Sequence, residues 1–174
     1  GKPGPQATPK DLILAVLRRI GADGLLGKAA EFRGPLVDEL GLAARITMAS
    51  MATEMAGIIA LFEPNDEVLA FCKKANHGVA EAVRADADAA YEMVIEIDVS
   101  GLGPMLSRPG HPEDVTEASE RIGTKIDSAF IGSCTNGRIE DLQAAADILR
   151  GRRVAPGVVL KIVPATDRVW RQCL

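Results

Sequence analysis

The chain has 174 residues, 47% of them hydrophobic and 25% charged, a globular balance that argues against disorder and leaves room for one domain or one and part of another. Aromatic residues are only 3%, so the core is aliphatic, which argues against a base-stacking nucleic-acid platform and against a Trp-centred sandwich. Twenty basic residues against 24 acidic ones leave a net charge of −4, which argues against a general phosphate-binding surface.

Thr8-Pro9-Lys10-Asp11 reads as a helix start, with Thr8 as N-cap, Pro9 at the first helical position and an early acid. The apolar set from Leu12 to Ile20 continues it and Gly21 stops it. A short strand is expected at Ala29 to Arg33, and Pro35 opens a short helix to Leu40. From Ala43 to Met55 the spacing is helical, with Met48, Met51 and Met55 on one face as core residues. Ile58 to Phe62 reads as a buried strand, and Pro64 to Glu67 caps a helix through Lys74. Tyr91 to Val99 alternates apolar and polar positions and predicts a half-exposed strand. Ser100 to Asp114, rich in Gly and Pro, is the linker candidate. Ile126–Ile131 then predicts a strand, Arg138–Arg150 a helix, Val158–Val163 a second strand, and Thr166 opens a second helix. That β-α-β-α order predicts a parallel sheet with right-handed crossovers.

No apolar run approaches the ~20 residues of a membrane span. The N-terminus lacks the apolar stretch of a signal peptide. Cys72, Cys134 and Cys173 include no close pair, which predicts reduced thiols and a cytoplasmic setting. Position 1 is not Met, and the last residues run on through a helical pattern. Both features predict a fragment of a longer chain.

The strongest local feature is Ile131-Gly132-Ser133-Cys134-Thr135-Asn136-Gly137-Arg138. A hydrophobic strand delivers a cysteine onto a Gly-flanked turn just before a helix. Ligands of open α/β sheets bind outside the carboxyl ends of strands, and helix N-termini favour thiolates. Cys134 is then a nucleophile, a metal ligand, or a small residue packed in a tight turn. A nucleophile needs a base, and the only histidines, His77 and His111, lie in no ligand pattern. Asp86-x-Asp88 reads as a solvated acidic loop, and Gly101-x-Gly103 lacks the third glycine of a dinucleotide loop.

Gly132-Ser133-Cys134-Thr135-Asn136 followed by a helix resembles the aconitase superfamily. More closely, Gly132 to Leu142 is similar to the large subunits of the 3-isopropylmalate dehydratase and homoaconitase type. Further blocks run in family order: Thr8 to Leu14, Gly24 to Gly34, Arg45 to Glu54, Asp98 to Leu102 and Val154 to Val158. The resemblance implies an α/β, aconitase-like fold, with parallel or mixed sheets flanked by helices and incomplete relative to the family chain. It divides the chain into a second-domain-like region 1–107, a connector 108–123, and the start of a third domain at 124–174.

It also implies a hydro-lyase that isomerises a malate-type acid by dehydration and rehydration, as in leucine biosynthesis. Homoaconitate or methylmalate-type hydration are alternatives. Cys134 matches one of three thiolate ligands of a [4Fe-4S] cluster, whose iron acts as a Lewis acid toward the substrate hydroxyl. Glu54 matches a family active-site Glu, four residues after the position where Ser50 replaces the family Asn. The family's Cys-x-x-Cys pair has no counterpart here, and neither Cys72 nor Cys173 sits at a ligand position. The expectation is that the fragment alone holds no cluster and is inactive, while the parent works with a small subunit carrying the swivelling domain. A rival reading is an isolated, non-catalytic α/β module. Neither nucleic acid nor membrane is an expected partner.

Overall fold

A computed structural model describes all residues, 1–174. The chain forms two compact units, Gly1–Glu120 and Arg121–Leu174. The architecture is mixed α/β, with two parallel strand pairs, one antiparallel pair, and flanking helices.

In the first unit, helix α1 (Pro9–Ile20) starts and stops where its sequence dictates. The Asp11 carboxylate accepts from the Thr8 amide and hydroxyl, both at 2.6 Å, and from the Met105 amide at 2.5 Å. One acid, only 5% exposed, thus caps the helix and ties it to a strand 94 residues away. Leu12, Ile13, Leu14 and Leu17 bury one face of α1 against Met48, Met51, Met55 and Val115. Each fully enclosed aliphatic side chain contributes about 1.5–3 kcal/mol. Strands β1 (Ala29–Phe32) and β2 (Ile59–Phe62) pair in parallel, Ala29 opposite Ile59, and end in a Phe32–Phe62 ring stack 5.0 Å apart.

Between them lie α2 (Pro35–Glu39) and α3 (Leu42–Ser50). The helix expected to continue to Met55 instead tightens after Ser50 into a 3-10 turn, Met51–Met55. Thr53 donates to the Ser50 carbonyl, and Ala56 closes the turn in the left-handed region at φ 58°. All three methionines stay buried. Arg45, 5% exposed, donates to the carbonyls of Leu40 (2.7 Å), Glu63 (2.6 Å), Val37 (2.9 Å) and Asp38 (3.3 Å). It thereby joins α2, α3 and the end of β2. Helix α4 (Asp66–Ala75) follows, its N-cap Asn65 accepting from the Val68 amide.

Tyr91–Val99 is not a strand. Side chains, rather than a backbone ladder, hold its start beside β1: Tyr91 donates to Glu31, and Lys28 pairs with Glu92. Of the alternating apolar residues, Met93 and Ile95 remain exposed, while Ile97 and Val99 are half-buried and Val99 packs against the core of the unit. The Gly- and Pro-rich stretch holds an antiparallel pair, β3 (Met105–Ser107) and β4 (Val115–Glu117), closed by Arg108 amide to Asp114 carbonyl at 2.8 Å. Val115 and Thr116 are buried in the first unit, so residues 108–117 pack as part of it.

The second unit is β5 (Ser128–Ile131), α5 (Ile139–Leu149), β6 (Val159–Ile162) and α6 (Asp167–Gln172). Its strands pair in parallel, Ser128 opposite Val159, as the element order required. Leu142 is its one buried apolar side chain, while Phe130, Val159 and Trp170 are exposed. No helix of the chain is long and apolar enough to cross a membrane.

Candidate functional site: the Cys134 turn

The turn lies between β5 and α5, beyond the carboxyl ends of the parallel pair. Gly132 and Gly137 form its stem, at φ 130° and φ 84°. A Cβ on Gly132 would meet the Val163 carbonyl oxygen at 2.3 Å, and one on Gly137 would meet it at 2.7 Å. Only glycine permits this approach. The Ile131 carbonyl accepts from the Val163 amide and the Gly137 carbonyl from the Ala165 amide, each at 2.8 Å. The segment after β6 therefore closes the stem.

Within the turn, Ser133 Oγ accepts from the amides of Thr135 and Asn136, both at 3.1 Å. Thr135, 7% exposed, donates its hydroxyl to Asn136 Oδ1 at 2.9 Å. Asp141, in the first turn of α5, reaches back: its Oδ2 accepts from the amides of Gly137 (2.9 Å) and Arg138 (3.0 Å). Asn136 Nδ2 lies 3.3 Å from both of its oxygens. Arg138 Nε is enclosed without a hydrogen-bond partner. The Cys134 side chain is exposed.

Ser50 and Glu54 belong to the first unit. Both are exposed, on either side of the switch from α-helix to 3-10 turn. That switch removes the shared helical face expected from their i, i+4 spacing. The Ser50 hydroxyl donates to the Ile46 carbonyl of its own helix at 2.7 Å. His77 and His111 are both exposed, and His111 Nδ1 lies 3.2 Å from Glu113. Cys72 is half-buried on α4, and Cys173 is exposed.

The donor set can be tested against an iron–sulfur cluster. Cys134 fits one ligand position: an exposed thiol on a pinned turn before a helix. No three His, Cys, Asp or Glu side chains gather closely enough to hold a metal ion.

The reach of Asp141 is absent from the sequence reading, although the Arg138-x-x-Asp141 spacing is that of an N-cap and its third helical residue. Arg45 is missed as well, because its partners are backbone carbonyls that leave no side-chain signature.

The family model for the aconitase family (aconitate hydratase) matches residues 1–124 and 118–174. This chain belongs to the aconitase family. It is 45% identical over 165 residues to the 3-isopropylmalate dehydratase large subunit of Oleidesulfovibrio alaskensis, covering 95% of this chain and 39% of the relative. The large subunit 1 from Archaeoglobus fulgidus is 41% identical over 95% of this chain and 40% of its own length. The Syntrophus aciditrophicus large subunit is 41% identical over 100% of this chain and 41% of its own. This aconitase-family chain therefore spans roughly two-fifths of these relatives, and both units fall within the matched region.

Proposed function

We propose that the chain is part of the large subunit of a hydro-lyase that isomerises a malate-type acid by dehydration and rehydration, in the manner of 3-isopropylmalate dehydratase. The observation that carries this reading is the exposed Cys134 thiol on a turn braced by Asp141, Ser133 and two obligatory glycines, in a chain over 40% identical to such large subunits. The first unit corresponds to the second domain of the family chain and the second unit to the opening of its third.

In the complete enzyme, Cys134 supplies one thiolate of a [4Fe-4S] cluster and chain outside these residues supplies the other two. When bound, such a cluster supplies a Lewis-acidic iron. Glu54 contributes an acceptor or donor to the substrate site, with Ser50 in a lesser role. A small subunit carries the swivelling domain and the base, and the cell uses the reaction in the cytoplasm for leucine synthesis. These residues alone are inactive.

A second reading is a folded, non-catalytic module without a cluster. Iron and sulfide analysis of the complete large subunit decides between them. The expected result is close to four irons per chain, lost together with turnover of 3-isopropylmalate in Cys134→Ser. Glu54→Gln is expected to keep its iron and lose roughly one to two orders of magnitude in rate, as for one hydrogen bond to a charged group worth ~1.5–3 kcal/mol. A Cys134→Ser enzyme that retains iron and turnover overturns the proposal.

A further inference from the structure

We infer that Asp141 is the positioning residue for Cys134, fixing the turn so that the thiol stands at a set place before any ligand arrives; this rests on Cys134 being a metal ligand. An acid at the third helical position ordinarily reaches back to the single amide of the N-cap. Asp141 goes further. Its carboxylate receives the amides of Gly137 and Arg138, and the Asn136 side-chain amide lies against both of its oxygens. Three consecutive residues, beginning two positions after the cysteine, are thus held by one anion.

Ser133 holds the other flank through the amides of Thr135 and Asn136. Every backbone amide from Thr135 to Arg138 on which these bonds act is committed within the turn. The stem is close-packed: Gly132 and Gly137 approach the Val163 carbonyl so nearly that neither has room for a Cβ. Thr135 and Gly137 are buried while Cys134 is exposed, so the turn is anchored on both sides of a projecting thiol. Asp141 does not touch that thiol in any bond described above. It acts through backbone, as the supporting groups of metal sites do, and losing such groups typically weakens metal retention about 10–100-fold.

The test uses the complete large subunit in four forms: wild type, Asp141→Ala, Asp141→Asn and Cys134→Ser. Each is reconstituted anaerobically with iron and sulfide, desalted, and read by iron per folded chain and by cluster absorbance, with helix content and melting followed by circular dichroism. Asp141→Ala is expected to lower cluster retention about tenfold or more. Asp141→Asn keeps one oxygen acceptor for the two backbone amides and is expected to restore part of it, and it carries the test if the alanine variant does not fold. A merely structural cap would lower the melting midpoint and leave the iron per folded chain unchanged, and that result overturns the inference. Cys134→Ser separates the two levels. If it keeps its iron, the ligand reading fails and this inference with it. If it loses iron while both Asp141 variants keep theirs, only the role of Asp141 fails. In the 174-residue chain itself, amide exchange at Gly137 and Arg138 is expected to quicken about tenfold or more in Asp141→Ala. Unchanged exchange there also overturns it.

Discussion

Replacing Arg45 with Met keeps an unbranched aliphatic stem in the core and removes the guanidinium. Four carbonyls then lose a donor: those of Val37, Asp38, Leu40 and Glu63. Three are partly compensated. The Leu40 amide donates to Val37 at 3.1 Å, and Asn65 Nδ2 reaches Leu40 at 3.1 Å and Asp38 at 3.4 Å. Glu63 keeps no such substitute among these bonds. One orphaned charge-assisted bond of ~1.5–3 kcal/mol, with about 0.5–1 kcal/mol for each of the others, gives a gross loss of about 3–6 kcal/mol. Removing a buried cation that has no carboxylate partner returns part of this, so the expected net destabilisation is about 2–4 kcal/mol. With a urea slope of about 2 kcal/mol per M, the midpoint falls by about 1–2 M. Circular dichroism follows the first unit, which holds the longer share of helix. Trp170, the sole tryptophan, lies in α6 and reports the second unit by fluorescence as an internal control. A dichroism midpoint within ~0.2 M of wild type would show that solvent or rearranged neighbours satisfy these carbonyls, and the reasoning about Arg45 would be wrong.

In the 174-residue chain Asp98 is held down to about 2, first by the Ser100 hydroxyl and then by the Ser100 amide. Its folded value lies below the unfolded ~3.9, so its stabilisation is present above pH ~4 and is lost as pH falls through about 2. Asp98→Asn is expected to remove that part of the acid limb, and a carboxyl NMR titration with a midpoint near 4 contradicts the assignment. Gly132→Ala forces a methyl onto the Val163 carbonyl at a positive φ, and thermal melting of the second unit is expected to report a loss of about 1–3 kcal/mol. Alkylation at limiting reagent, read by mass spectrometry, is expected to mark Cys134 first and the half-buried Cys72 last. Early labelling of Cys72 would mean that α4 opens readily.

Local signals carried most of the fold. Thr8, Asn65 and Thr166 opened their helices where capping chemistry placed them, and the β5-α5-β6 order led directly to a parallel pair. What escaped was set by distant partners. The alternation of Tyr91 to Val99 is a strand signal only if a neighbour offers a ladder, and side-chain ties to Lys28 and Glu31 take that place. The linker composition of 100–114 describes tight turns equally well, and only the burial of Val115 against α1 shows that they pack. At the site, the strand–cysteine–helix arrangement was legible because its residues are contiguous. The shared face of Ser50 and Glu54 was not, because a tightened turn changes the angle between successive side chains without changing their spacing.

The two kinds of bonding in the second unit differ in what they cost in chain entropy. The bonds that brace the Cys134 turn from within, by way of Ser133 and Asp141, span five residues or fewer, so closing them needs little chain entropy. The β5–β6 pair needs a crossover of more than twenty residues and gains one buried apolar side chain in return. The local bonds are therefore the cheaper to close, but the stem that carries the turn is complete only when the segment after β6 brings Val163 and Ala165 to it. The place of the Cys134 thiol thus depends on both kinds of bond: short-range ones shape the turn, and the crossover supplies the backbone against which its stem is held.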